Sequence, residues 1–372
     1  MSPERRTIEQ LLQQNILPLK NAEAAAIHLE VYPSKRTWLD FFDKVLLIIG
    51  AVALVLSLVF FIAYNWQNMG KIGKFALVEG AVVITIALYV ALSFRQLKQN
   101  SQRLQLIRQL LLLIASIITG SLLALFGQVY QTGADTWQLF FGWAILITPW
   151  VMIARFPALW LLWLGLVNTC LALYLDVANL QFINYSLQNV SQVAILALFN
   201  FIAFYSWLMS FDNKTHFSTP HLFHRIIPKK PTAQINSSQT KSSLHWSTYI
   251  VGLLTTFFIT YLAIVTVFDS DNIGATIIAI LVWLGWCGFM FWQFRQRRTD
   301  LLMLTYLSFS MIIVVMFWVG KWLLDDFDAA GFLLLALLLI GMSSAAVVWL
   351  RKVGRINNDD IAPSIIKGNS DE

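Results

Sequence analysis

The sequence predicts an all-α polytopic membrane protein of about ten transmembrane helices, with a small cytoplasmic helical hairpin at its amino terminus. Three observations lead to this fold class. Hydrophobic residues make up 58% of the 372 residues and charged residues only 12%, an apolar share well above that of soluble domains. Ten apolar windows are each long enough to cross a hydrocarbon core of about 30 Å, which takes about 20 helical residues. Lys and Arg collect in alternate connections between these windows.

Residues 1–43 are predicted to form a cytoplasmic helical hairpin and an interfacial anchor. Thr7 and Asn21 are suitable N-caps for two short helices, and Pro18 separates them. The stretch "TWLDFF", residues 37–42, mixes aromatic side chains with a carboxylate ahead of the first apolar window, as interfacial anchors do. The segment carries charge and lacks an apolar h-region, so no cleavable signal peptide is expected and the first span should act as the insertion signal.

The remaining chain divides into two predicted membrane regions. Residues 44–211 hold six spans and residues 248–350 hold four. Between them, residues 212–247 are rich in Pro, Ser and Lys, which favours a flexible cytoplasmic loop, and residues 351–372 form a cytoplasmic tail. Only "ARFPA" separates the fourth and fifth windows, and a tight hairpin is expected there because Arg155 would be costly in lipid. The windows are roughly 45–64, 75–94, 109–127, 136–154, 156–175, 192–211, 248–268, 274–293, 301–320 and 331–350.

The distribution of basic residues predicts that both termini are cytoplasmic. With the amino terminus inside, 23 of the 26 Lys and Arg residues fall in cytoplasmic segments, which is the bias that sets orientation in the inner membrane. The outer connections keep only Lys71, Lys74 and Lys321. The basic residues that give the net charge of +6 therefore lie next to the lipid bilayer. No nucleic-acid partner is expected, because no basic helix with interleaved aromatics lies outside the apolar windows.

Three segments of the first half resemble one family. They are "LLQQNILPLKNAEAAAIHL", "FFIAYNWQNMGKIGKFAL" and "FGQVYQTGADTWQLFFGWAILITPWVMIARFPALWLLWL". Taken together and in this order, they resemble the DUF2157 family of bacterial predicted membrane proteins. The resemblance implies a multi-span protein of the bacterial inner membrane. It supplies no functional residues that could be assigned to this chain.

Polar residues of the first four spans gather at their predicted outer ends. The stretch "GQVYQTGADTWQLF", residues 127–140, ends the third span and begins the fourth, and its glycines suit a tight turn. The first span ends on the same side, and the second begins there. This placement predicts a polar surface or pocket that faces the periplasm. The candidate binding residues are Asn65, Glu79, Gln128, Tyr130, Gln131 and Asp135.

Glu79 is the only acidic residue well within a predicted span. An ionisable group at such depth is costly and is a functional candidate by default, for example as a binder of a proton or cation. The alternative is a structural role, in which Glu79 hydrogen-bonds Asn65, Gln128 or Tyr130, or pairs with a nearby lysine. At the midplane only Asn168 and Asn200 are strongly polar, and they are expected to bond across helices.

The sequence carries no GxSxG, HExxH or P-loop motif, so we expect no catalytic residues, no enzymatic activity and no cofactor. His221 and His224 are three residues apart, but no cysteine or carboxylate cluster completes a metal site. Two functions remain as hypotheses. The first is a non-enzymatic inner-membrane protein that binds a membrane or periplasmic protein, or an envelope component, through the outer-face residues. The second is a small-solute or proton-coupled transporter that uses Glu79.

Overall fold

The protein is described here by a computed structural model that covers residues 8, 11–12, 17–28, 35–96, 102–154, 156–178, 185–212, 244–269, 273–326 and 329–359. Within these ranges there are eleven α-helices, and ten of them, α2–α11, are long and apolar enough to cross a membrane. The predicted count of ten spans is confirmed. The helices are α1 (Ala22–His28), α2 (Lys35–Tyr64), α3 (Lys71–Gln96), α4 (Gln102–Tyr130), α5 (Thr136–Ala154), α6 (Pro157–Val177), α7 (Tyr185–Asp212), α8 (Trp246–Asp269), α9 (Ile273–Phe291), α10 (Leu301–Asp326) and α11 (Ala329–Asp359).

Several helices extend beyond the apolar windows that predicted them. The 30 residues of α2 rise about 45 Å at 1.5 Å per residue, which exceeds the hydrocarbon thickness of about 30 Å. Helix α2 begins at Lys35, so "TWLDFF" lies within it and does not precede it as a separate anchor. The rings of Trp38, Phe41 and Phe42 contact one another there. The apolar window includes only the residues that cross the hydrocarbon core. The helix is longer, because its backbone hydrogen bonds continue through the polar residues at both ends.

The amino-terminal segment differs in one detail from its prediction. A 3₁₀ turn, Leu19–Asn21, leads directly into α1, and Pro18 occupies the N-cap position of that turn. Asn21 is therefore the last residue of the turn and directly precedes α1, and its backbone N–H donates to the carbonyl of Pro18 at 2.8 Å. Thr7, the other predicted cap, lies outside the described residues, as does most of the first predicted helix. Ile8 is helical and buried.

The chain divides into two compact units, Met1–Trp163 and Leu164–Glu372. In the first unit α4 is central, because α2, α3 and α5 all pack against it. The division falls within α6. Composition predicted the boundary at the loop 212–247, whose two ends belong to α7 and α8 and whose residues 213–243 lie outside the described residues. Helix α5 ends at Ala154 and α6 begins at Pro157, so the short connection predicted there is confirmed.

The second unit is built around α8, against which α7, α9 and α10 pack, while α11 packs on α10. Several of its buried polar side chains are hydrogen-bonded across helices, because polar groups in an apolar interior need partners. Asn168 and Asn200 exchange two amide hydrogen bonds of 3.2 and 2.6 Å, which confirms the predicted bond across helices. Ser310 contacts the Thr260 hydroxyl at 2.6 Å and accepts from the Trp283 indole at 3.0 Å.

Candidate functional site: a polar cleft between two helix ends

A cleft of about 810 Å³ lies in the first unit, where α4 ends and α5 begins. Its lining combines hydrogen-bonding side chains with small and apolar residues. We call it the α4–α5 cleft. Its lining residues are Leu123, Ala124, Phe126, Gly127, Gln128, Gln131, Thr132, Gly133, Ala134, Asp135, Thr136, Gln138, Leu139 and Gly142.

The backbone between the two helices is tightly turned. Gln131 directly follows α4 with a φ of +46°, and Gly133 has a φ of +65°. A left-handed residue just after a helix is a common way to end it, but a side chain other than glycine is disfavoured in this conformation. Gln131 is the only residue other than glycine with positive φ in the described part of the chain. The backbone at Gln131 is therefore strained, and Gln131 lines the cleft. Strained backbone is often found at functional sites.

Asp135 shapes the other side of the turn. It immediately precedes α5, and its carbonyl accepts the backbone N–H of Gln138 at 3.0 Å. One carboxylate oxygen, Oδ2, accepts the indole N–H of Trp137 at 3.3 Å. The carboxylate is exposed, so its other oxygen and its unused lone pairs can accept hydrogen bonds from a bound molecule.

Helices α4 and α5 are in close contact near the cleft. The ring of Trp143 lies directly against Gly120, where a Cβ atom would overlap the indole. The Trp143 indole N–H donates to the carbonyl of Ser116 at 2.8 Å. One turn further along α5, Thr148 accepts the indole N–H of Trp163 from α6 at 3.0 Å. These contacts set the spacing of the helices and therefore the width of the cleft between their ends.

The family comparison covers this same region. The model of the family described as "Predicted membrane protein (DUF2157)" matches residues 9–160. We call the matched residues 9–160 the DUF2157 region. The resemblance predicted from the sequence is thus confirmed for the first part of the chain, and the DUF2157 region contains the whole α4–α5 cleft. No curated protein and no solved structure matches the chain.

Half of the predicted site residues of the DUF2157 region line the cleft. Gln128, Gln131 and Asp135 do so. The other candidates, Asn65 and Tyr130 among them, do not. The Asn65 side-chain amide donates to the carbonyl of Phe61 in its own helix at 3.0 Å.

Tyr130 does not line the cleft, although it contacts Phe126, which does. Its ring contacts Phe126 and Phe75, with centroids 4.8 and 5.8 Å apart, and Lys71 Nζ is 5.8 Å from its centroid. Tyr130 therefore belongs to the packing of α4 against the start of α3.

Glu79 lies on α3 and is exposed. Within the described part of the chain its carboxylate has no hydrogen bond and no ion pair. The expected structural bonds to Asn65, Gln128 or Tyr130 are absent there. The two nearby lysines contact aromatic rings instead, Lys71 that of Tyr130 and Lys74 that of Trp66.

Three polar residues of the stretch 127–140 line the cleft, although they were not among the candidate binding residues. Thr132, Thr136 and Gln138 line it together with the predicted residues. The signal for Gln138 was present, since it lies three residues after Asp135 and such residues share a helix face. Leu139 and Gly142 extend the same face along α5 at helical spacing.

The lining offers amide, hydroxyl and carboxylate groups but no basic side chain. No group of three or more His, Cys, Asp or Glu that could hold a metal ion occurs in the described part of the chain. By contrast, a cavity of about 390 Å³ in the second unit is lined almost entirely by apolar side chains, including Phe201, Trp286 and Phe289. The α4–α5 cleft can therefore recognise a polar ligand through several directed hydrogen bonds, and its apolar lining residues can cover part of that ligand.

Proposed function

We propose that the protein is a non-enzymatic, integral inner-membrane protein that binds a membrane or periplasmic protein, or another envelope component, through the α4–α5 cleft. The observation that supports this most is the cleft itself, an open site of about 810 Å³ whose lining combines polar and apolar residues. Its size lies in the range of sites that bind small molecules or short segments of a larger partner. The charge distribution of the sequence predicts that this end of α4 and α5 faces the periplasm.

The composition of the lining favours binding over catalysis. Asp135 is the only titratable side chain of the cleft. Nucleophilic catalysis by a hydroxyl usually relies on an adjacent general base that a third group orients. Amides and hydroxyls around a single carboxylate instead match the mixed donors and acceptors of a peptide backbone or a sugar.

Photo-crosslinking in cells tests this function. With a photoreactive residue at Thr132, we expect capture of one membrane or periplasmic protein or one envelope component. Replacing Gln128 with alanine and Asp135 with asparagine should reduce this capture roughly tenfold, because hydrogen bonds to a charged group contribute about 1.5–3 kcal/mol.

A photoreactive residue at Gln67 is the matched control. Gln67 is exposed in the turn between α2 and α3, at the same end of the helices, and it does not line the cleft. Capture at Thr132 should exceed capture at Gln67. Equal capture at both positions, or only bulk lipid at Thr132, would contradict binding through the cleft.

Transport that uses Glu79 is the second candidate. It is favoured by one observation, the exposed carboxylate on α3 that has no hydrogen bond or ion pair within the described residues. For a proton-coupled carrier reconstituted in liposomes, we expect solute-driven proton flux to disappear in Glu79→Gln and to persist in Glu79→Asp, which keeps the carboxylate. Flux equal to that of empty liposomes across a broad solute panel would eliminate this candidate.

A further inference from the structure

The start of α3 has the sequence "GKIGK", residues 70–74. The first backbone N–H of the helix that is bonded in the usual way is that of Lys74, which donates to the Gly70 carbonyl at 3.2 Å. The N–H groups of Ile72 and Gly73 precede it and have no acceptor within the described residues. Unpaired N–H groups and the helix dipole together make such a terminus attractive to anions.

Lys74 adds a second, independent feature. The residue is only 7% exposed, and its ammonium stands 3.6 Å from the centroid of the Trp66 ring, in the turn that precedes α3. Its Nζ therefore lies toward the helix start. Within the described part of the chain this ammonium has no hydrogen-bond acceptor and no carboxylate partner. Three N–H donors of a largely buried cation are thus unused.

Lys71 is placed similarly, although it is exposed. Its Nζ is 5.8 Å from the centroid of the Tyr130 ring at the end of α4. Two aromatic rings, one from each neighbouring segment, thus hold two ammonium groups near the same helix start. These lysines are also two of the three basic residues that the sequence predicts on the outer side of the membrane.

This arrangement is unfavourable without a counter-ion. Positive side chains in the first turn of a helix oppose its dipole, and no acidic residue is present in that turn. Removing an ammonium from water costs more than a face-on contact with one aromatic ring restores. An anion bound at the helix start would remove both penalties, because it would meet the two lysines and the free N–H groups together.

We propose that the start of α3 is a binding site for a phosphate group, held by the ammonium groups of Lys71 and Lys74 and by the backbone N–H groups of Ile72 and Gly73. Neither lysine lines the α4–α5 cleft, so this site goes beyond the function proposed above. The phosphate can belong to an anionic lipid headgroup or to a soluble molecule. Both sources offer the same acceptor oxygens to the same donors.

Thermal unfolding of the full-length protein in dodecyl maltoside tests the site. The probes are dioctanoyl phosphatidylglycerol and inorganic phosphate, each compared with chloride at equal ionic strength. We expect a probe-dependent rise in Tm that gives a binding constant, and we expect Lys74→Met to weaken that binding roughly tenfold, the effect of losing one charged hydrogen-bond donor. Lys71→Met should have a smaller effect in the same direction.

Methionine at position 74 keeps the apolar stem of lysine and removes only the charge. The anion-free Tm of Lys74→Met should therefore equal or exceed that of the wild type, whereas a purely structural lysine would make it fall. Lys352→Met removes an exposed charge from α11 and should bind both probes as the wild type does.

The two probes separate the two sources. Stabilisation by phosphatidylglycerol alone assigns the site to a lipid headgroup, and stabilisation by inorganic phosphate as well assigns it to a soluble phosphate. Absence of stabilisation by either probe, or equal binding by the wild type and Lys74→Met, would overturn the proposal. Neither result depends on what is captured from Thr132.

Discussion

Replacing Gly120 with alanine is expected to lower the free energy of unfolding by about 2–4 kcal/mol. The added Cβ would overlap the indole of Trp143, which lies directly on this glycine. To make room, the ring must move, and the hydrogen bond from its N–H to the Ser116 carbonyl, now 2.8 Å, would be lost. Unfolding in mixed micelles of dodecyl maltoside and sodium dodecyl sulfate would measure the change.

Gly80→Ala is the matched control for this prediction. Gly80 is also inside a membrane helix of the first unit, but a Cβ there would meet no atom within 4 Å. Its replacement should be neutral, or stabilising by up to about 1 kcal/mol through helix propensity. A Gly120→Ala loss no larger than that of Gly80→Ala would show that the indole adapts without cost.

The same substitution should also change the cleft. Because the contact of Trp143 with Gly120 sets the spacing of α4 and α5, a displaced ring should separate the helix ends that carry Gln128 and Asp135. Crosslinking from Thr132 should therefore fall in Gly120→Ala. Adding Trp143→Leu should restore part of the lost stability, since residues in direct contact are energetically coupled.

Replacing Asn200 with leucine is expected to lower the free energy of unfolding of the second unit by about 1–2 kcal/mol. The Asn200 amide donates to Asn168 Oδ1 at 2.6 Å and accepts from Asn168 Nδ2 at 3.2 Å. Without the Asn200 amide, the buried side-chain oxygen of Asn168, Oδ1, would lose the hydrogen-bond donor that Asn200 provides. The Asn168 amide would still donate to the Leu164 carbonyl at 2.9 Å, which limits the loss.

The double variant with leucine at both positions tests whether the pair acts as one unit. Replacing both partners removes the unsatisfied oxygen together with its donor, so the double variant should be more stable than either single variant. If the losses of the two single variants simply add in the double variant, the amides are not energetically coupled. The same unfolding measurement in mixed micelles applies.

The sequence by itself determined the number of spans and brought several polar residues of the cleft lining together. Whether a segment crosses a membrane depends on its own length and apolarity, because every backbone group in lipid must be satisfied within the helix. For the same local reason, three of the candidate residues, Gln128, Gln131 and Asp135, line one cleft. They lie within eight residues of one another, so a short turn between two spans brings them to one site wherever the helices point.

Only the tertiary structure decided which face of each helix meets a neighbour. Asn65 and Glu79 lie at the same end of the spans as the cleft, yet they contribute nothing to its lining. Asn168 forms a hydrogen bond with Asn200, 32 positions away in the sequence, and the Lys74 ammonium contacts the ring of Trp66. Apolar spans have no strong periodic pattern, because lipid and packed interior are equally apolar. The rotation of each helix about its axis is therefore set by close packing, such as that of Trp143 on Gly120, and such contacts cannot be deduced from one helix alone.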